Sequence, residues 1–89
     1  MPPYYVYILR CADNTLYTGS TNDLAARELA HNAGRGAKYT AGRRPVRIVY
    51  SETLESRSKA LRRECEVKRL TRARKEALID VTPSRRSPS

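Results

Sequence analysis

The residues of this sequence with chemistry to offer are a lone carboxylate, Glu64, an arginine and a histidine four apart, Arg27 and His31, and two tyrosines on neighbouring short segments, Tyr7 and Tyr17. Glu64 lies in "ALRRECEVK", residues 60–68. A helix sets successive side chains about 100° apart, which predicts Ala60, Leu61, Cys65 and Val67 on one side and Arg62, Arg63, Glu66 and Arg69 facing away. Glu64 falls among the apolar residues. A buried charge without a partner costs several kcal/mol or is neutralised, so this carboxylate needs a counter-charge. A divalent cation with its water shell is one candidate, and Mg²⁺ often takes only one or two protein carboxylates. A structural ion pair with Arg27, or with Lys68 one helical turn on, is the other.

These groups need a scaffold, and the sequence supplies it in order. "YYVYILRC" alternates two apolar faces, with Tyr5, Tyr7 and Leu9 on one and Tyr4, Val6 and Ile8 on the other, the pattern of a strand covered on both sides. "ADNT" is turn-forming and "LYTG" resumes as a second strand, giving a hairpin that brings Tyr7 and Tyr17 together. Asp23, Thr21 or Asn22 can cap the helix "LAARELAHN", on which Arg27 and His31 share a stripe, and Asn32 to Gly34 stop it. The segment "NAGRGAKYTAGRRP" is long for a connection in a small domain and rich in glycine and basic residues. "VRIVYSE" predicts a third strand with Val46, Ile48 and Tyr50 on one side. A helix over about 57–70 carries Glu64, and a shorter one over 72–79 places Ala77, Leu78 and Ile79 against the core. The expected fold is α+β: order β-β-α-β-α, a three-stranded antiparallel sheet flanked by helices, and a short extra C-terminal helix. The expected domain is residues 1–80, with 81–89 a flexible basic tail that has nothing to bury.

Composition narrows the function. The chain has 89 residues, a net charge of +9 and 39% hydrophobic residues, enough for one small core and no second domain. Residues 35–75 carry fourteen Lys or Arg against four Asp or Glu, an excess that accounts for the whole net charge. Such a surface favours a polyanion, nucleic acid first. No run approaches the roughly 20 apolar residues of a membrane span, and no hydrophobic segment follows Met1, so the expected location is the cytoplasm, nucleoid-associated when DNA is bound. Cys11 and Cys65 are too far apart for a C-x-x-C pair and read as small buried hydrophobes.

Taken together, "YVY" at 5–7, "YTG" at 17–19, Arg27 eight residues beyond Gly19 and Glu64 in "ALRRE" resemble the signature of the GIY-YIG nucleases. The resemblance spans roughly residues 4–80 and is closest to the small stand-alone members, in which "HN.G.GAKYT..RRP" recurs. It implies a metal-dependent endonuclease using Mg²⁺, with Mn²⁺ as substitute, that leaves 3′-hydroxyl or 5′-phosphate ends on DNA. Glu64 would be the metal ligand, Arg27 the phosphate clamp through its planar fork, and Tyr7, Tyr17 or His31 the group that takes a proton from water. Some members use a lysine beside the second triplet; Ser20 stands there in this chain and closes that route. Arg35, Lys38, Tyr39, Arg43, Arg44 and Lys68 are the expected nucleic-acid contacts, an aromatic among cations being suited to stacking beside phosphate binding. With no appended recognition domain, selectivity for DNA shape is expected, with a role in repair or recombination, and a monomer or weak dimer. The alternative is a DNA- or RNA-binding module on the same fold with weak or no catalysis.

Overall fold

A computed structural model of the protein describes residues 3–81. The described elements run β1 (Tyr4–Arg10), β2 (Leu16–Thr21), α1 (Leu24–Asn32), α2 (Lys38–Ala41), β3 (Arg47–Leu54), α3 (Arg57–Lys68) and α4 (Arg72–Asp80). The sheet is antiparallel in the order β2-β1-β3. Apart from Val81, the expected basic tail lies outside the described residues.

β1 is the central strand, and its two-sided apolar pattern is the reason. Val6 and Ile8 point to one face, where Tyr50, Ala60, Val67 and Ile79 close a core beneath α3 and α4. Tyr7, Leu9 and Cys11 point to the other, with Val46 and the half-buried Tyr17, Leu24 and Ile48. Val6, Ile8 and Leu9 are wholly buried, each burial being worth about 1.5–3 kcal/mol. Three helices start where their caps dictate. The side chains of Asp23, Ser56 and Thr71 accept from the amides of Ala26, Lys59 and Arg74, satisfying donors that a helix N-terminus leaves open.

Several sequence expectations are corrected here. Tyr50 does not share a side with Val46 and Ile48. Tyr50 pairs with Ile8 while Ile48 pairs with Leu9, so Val49 is an extra residue at an irregularity in the ladder, and such a bulge reverses the alternation beyond it. Tyr50 and Glu52 are thereby delivered to the α3 face, where Arg63 binds Glu52 through its Nε and Nη2 at 2.9 Å and the Tyr50 hydroxyl donates to the same carboxylate. Arg63 therefore turns toward the sheet rather than away from it. On α3, Ala60 and Val67 are buried but Leu61 is 42% exposed and Cys65 is also exposed. The buried row of this helix is narrower than the apolar composition implied. Ala77 is likewise exposed, leaving Ile79 and the half-buried Leu78 to meet the core. The long segment of residues 32–45 is not all loop, since it contains the short helix α2.

Candidate active site

Four elements converge where the outer edge strand β2 meets α1, α2 and α3. The hairpin register sets Tyr7 opposite Gly19. A Cβ at Gly19 would lie 2.5 Å from the Tyr7 hydroxyl, so glycine is what lets the Tyr7 ring lie across β2. Its hydroxyl, almost fully buried, reaches Nε2 of His31 on α1 at 3.0 Å. The His31 ring is also completely buried. Tyr17 stands edge-on to it at 5.4 Å between ring centres, and Gly36 comes so close that a Cβ there would sit 2.1 Å from Nδ1. Nδ1 itself is 2.8 Å from the hydroxyl of Thr40.

Arg27, one turn before His31, donates through Nη2 to the Gly36 carbonyl at 3.3 Å, while its Nε is buried without a hydrogen-bond partner among the described residues. Burial pushes the Tyr7 phenol up from its ordinary range, opposed by the neighbouring Arg27 guanidinium; Tyr17 and Glu64 add smaller upward pushes. Burial, with Arg27 nearby, pushes His31 down. At neutral pH the pair is thus a neutral phenol against a neutral imidazole.

Glu64 comes from the opposite face. It sits at the margin of the buried row of α3, with its side chain 16% exposed. Oε1 accepts from Ser20 at 2.8 Å, and Oε2 pairs with Lys68 at 3.0 Å. Of the two ion-pair partners expected for it, Lys68 is the one present; the pair raises the Lys68 ammonium above its ordinary value. No group of three or more His, Cys, Asp or Glu is placed to hold a metal among the described residues.

Apart from Lys68, which pairs with Glu64, the predicted nucleic-acid contacts fall into two groups. Arg35 and Lys38 are exposed beside the site without a partner among the described residues. Tyr39, Arg43 and Arg44 have structural work. The Tyr39 ring stacks on Tyr17 at 5.8 Å, and the Arg43 guanidinium lies 4.1 Å from its centre. Arg43 also binds Asp13, and Arg44 donates to the carbonyls of Ala41 and Asn32. Sequence reasoning missed Thr40 and Asn32. Asn32 donates to the Val46 carbonyl and accepts from its amide, at 2.9 and 2.7 Å, and so ties the end of α1 to the start of β3. The signal available was the spacing of Thr40 nine residues after His31, on a segment read only for its charge.

The model of the GIY-YIG catalytic domain matches residues 3–77. The chain belongs to the GIY-YIG family. Its relatives include the UPF0213 protein SH2523 of Staphylococcus haemolyticus, 52% identical over 80 residues that cover 90% of this chain and 98% of that one. Among solved structures, the solution structure of the UPF0213 protein BH0048 from Bacillus halodurans is 46% identical, with a TM-score of 0.58 over 90% of this chain and 85% of that one. That of EF2693 from E. faecalis is 41% identical, with a TM-score of 0.61 over 91% and 86%. Membership places the chain in a nuclease family, for which nucleic acid is the implied substrate. The GIY-YIG site residues expected from the sequence, Tyr7, Tyr17, Arg27, His31 and Glu64, all lie around the β2 edge. No helix among the described residues is long and apolar enough to cross a membrane.

Proposed function

We propose that the protein is a divalent-metal-dependent endonuclease that hydrolyses DNA phosphodiester bonds, selecting DNA by shape. The observation that carries this reading is the unpaired Nε of Arg27, a buried cationic donor beside the Tyr7–His31 pair. A buried donor left open costs about 1–3 kcal/mol, a cost offset when a phosphate oxygen takes it. The planar fork also offers Nη1 to a second oxygen.

The donor set at Glu64 fits a hard cation. It is a single carboxylate, held by Ser20 on one oxygen and by Lys68 on the other, with lone pairs left and a route to water, which suits Mg²⁺ or Mn²⁺ because such ions keep several waters and share substrate oxygens. A soft nitrogen and sulfur set would have pointed elsewhere. When bound, the ion would supply stabilisation of the charge that gathers on the phosphate and leaving oxygen.

The chain's own residues do the rest. Arg27 orients the phosphate and neutralises it. Tyr7 takes a proton from the attacking water as its own proton passes to Nε2 of His31, a neutral base kept so by burial. A phenol with a raised pKa is a poor base alone, and the imidazole behind it supplies the missing acceptor. Tyr17 borders the same space and holds the His31 ring by its edge. Arg35 and Lys38 extend the cationic surface along the incoming strand.

A second reading rests on the Glu64–Lys68 pair: a nucleic-acid-binding module, for DNA or RNA, in which Lys68 keeps the carboxylate from a metal and cleavage is slow or absent. One experiment separates the two. The protein and its Glu64→Gln variant are incubated with branched, nicked, single-stranded and duplex DNA and with RNA, in Mg²⁺ or EDTA. The endonuclease reading expects cleavage of branched or nicked DNA that EDTA and the variant each reduce by at least about 10³-fold, the order that a metal-centred charge stabilisation provides. Binding without cleavage on every substrate would establish the module instead.

A further inference from the structure

The buried hydroxyl of Thr40 meets His31 of the candidate site although it lies on a segment that composition marks only as a basic loop. Thr40 is wholly buried. It is held by α2, whose four residues Lys38–Ala41 fold back over α1, and its Oγ1 contacts two groups, the Ala37 carbonyl at 3.1 Å and Nδ1 of His31 at 2.8 Å. A threonine hydroxyl has one proton to give. A carbonyl can only accept, so the contact with Ala37 takes that proton and leaves a lone pair facing Nδ1.

The other end of the imidazole can follow this direction. A phenol hydroxyl either donates or accepts, and the Tyr7 oxygen lies 3.0 Å from Nε2. The Thr40 end is therefore the one that selects a proton on Nδ1 and a lone pair on Nε2.

We propose that Thr40 is a positioning residue that fixes His31 as the Nδ1–H tautomer, so that Nε2 is the acceptor for the Tyr7 phenol. This rests on the reading of Tyr7 and His31 as the proton-accepting pair. In the reaction, the O–H bond of the attacking water breaks as its oxygen bonds to phosphorus. That proton goes to the Tyr7 oxygen, the Tyr7 proton goes to Nε2, and the imidazolium formed keeps its Nδ1–H on Thr40. No proton leaves Thr40, and the departing oxygen is protonated from solvent. The direction of a histidine's second hydrogen bond decides which nitrogen is free to act, and a group set in the wrong tautomer loses most of its effect. Gly36 belongs to the same device, because its missing side chain is what lets this segment close against Nδ1.

The test is the ¹⁵N spectrum of His31, the single histidine of the sequence, recorded at neutral pH without metal or DNA. The wild-type protein is expected to show Nδ1 protonated and Nε2 bare, and Thr40→Ser to match it. Thr40→Val, which keeps the shape and removes the acceptor, is expected to shift the ring toward Nε2–H or a mixture and to lower cleavage of a nicked duplex roughly 10- to 100-fold. Circular dichroism of the two variants reports whether the fold is kept. A wild-type ring protonated on Nε2 overturns the proposal, and so does a folded Thr40→Val whose tautomer is unchanged. Wild-type protein with the expected tautomers and no cleavage of any substrate refutes the hydrolytic reading and leaves the role of Thr40 in setting the ring intact.

Discussion

At the scale of single residues, the site is shaped as much by missing side chains as by present ones. Gly19 and Gly36 both stand where a Cβ would collide with a ring of the candidate site, Tyr7 in one case and His31 in the other. Neither has a φ in the left-handed region, so the requirement is space and not backbone freedom. Gly34 is the contrasting case, a glycine at φ +83° just after α1, where the conformation itself favours glycine. Gly36→Ala is therefore expected to push the His31 ring out of line, with a loss of cleavage of 100-fold or more. Overpacking of this kind costs about 1–3 kcal/mol, measurable as a lower midpoint in urea. Gly42, whose Cβ would meet nothing within 4 Å, is the control, and Gly42→Ala should leave cleavage unchanged. Equal losses at both positions would show that loop flexibility, not the space against His31, is what matters.

At the scale of elements, the sequence was legible wherever a local rule decided the outcome. The caps at Asp23 and the following alanine-rich run located α1, and the two-sided apolar pattern of β1 made it central. The stripe joining Arg27 and His31 was correct because helical spacing alone fixes it. Errors came where a distant partner decides. Tyr50 and Glu52 changed faces through an irregularity paired across to β1, which no pattern within β3 displays. Cys65 and Leu61 are exposed because α3 meets β1 and β2 through the row of Ala60 and Val67, and composition cannot show which row a distant strand covers. Thr40 was hidden for the same reason, since its role depends on α2 closing over α1. Asn32 shows how the long segment is tethered. Its amide pairs with both polar groups of Val46 in the manner of an additional strand residue, and Glu28 accepts from the Ile48 amide beside it. Asn32→Ala leaves a buried residue's N–H and C=O without that partner, and a loss of about 1–3 kcal/mol is expected by urea denaturation. Asn32→Asp, which keeps the acceptor for the Val46 amide and loses the donor to its carbonyl, should fall between the two.

At the scale of the whole molecule, the excess of positive charge makes the few carboxylates important to stability. Burial raises Glu52, but the hydrogen bonds of Arg63 and Tyr50 outweigh it and hold the carboxyl below its ordinary value; burial, and then the Glu52 carboxylate, drive Tyr50 up to about 12 against the opposing Arg63. Glu76 is lowered by hydrogen bonds from Arg10, at 2.7 and 2.9 Å, and by Arg72, and this fastens α4 to the end of β1. A carboxyl with a depressed folded value binds fewer protons in the native state than in the unfolded one. Its contribution is complete above the unfolded value and is lost as pH falls through the folded one. His31, lowered by burial and by Arg27, acts in the same direction over a higher window, beginning near its unfolded value of 6.5. The melting temperature should thus decline gently below about pH 6.5 and steeply below about 4.5, the unfolded value for glutamate. General repulsion among the cations would also favour unfolding in acid. The double variant Glu52→Gln/Glu76→Gln distinguishes the two causes, because once both carboxyls are protonated the wild type carries the same charge as the variant. If the ion pairs are responsible, the variant melts lower at pH 7 and converges on the wild type as pH falls through the folded values of the two carboxyls, so its acid limb is flattened. Parallel curves over the whole range would assign the acid loss to repulsion instead.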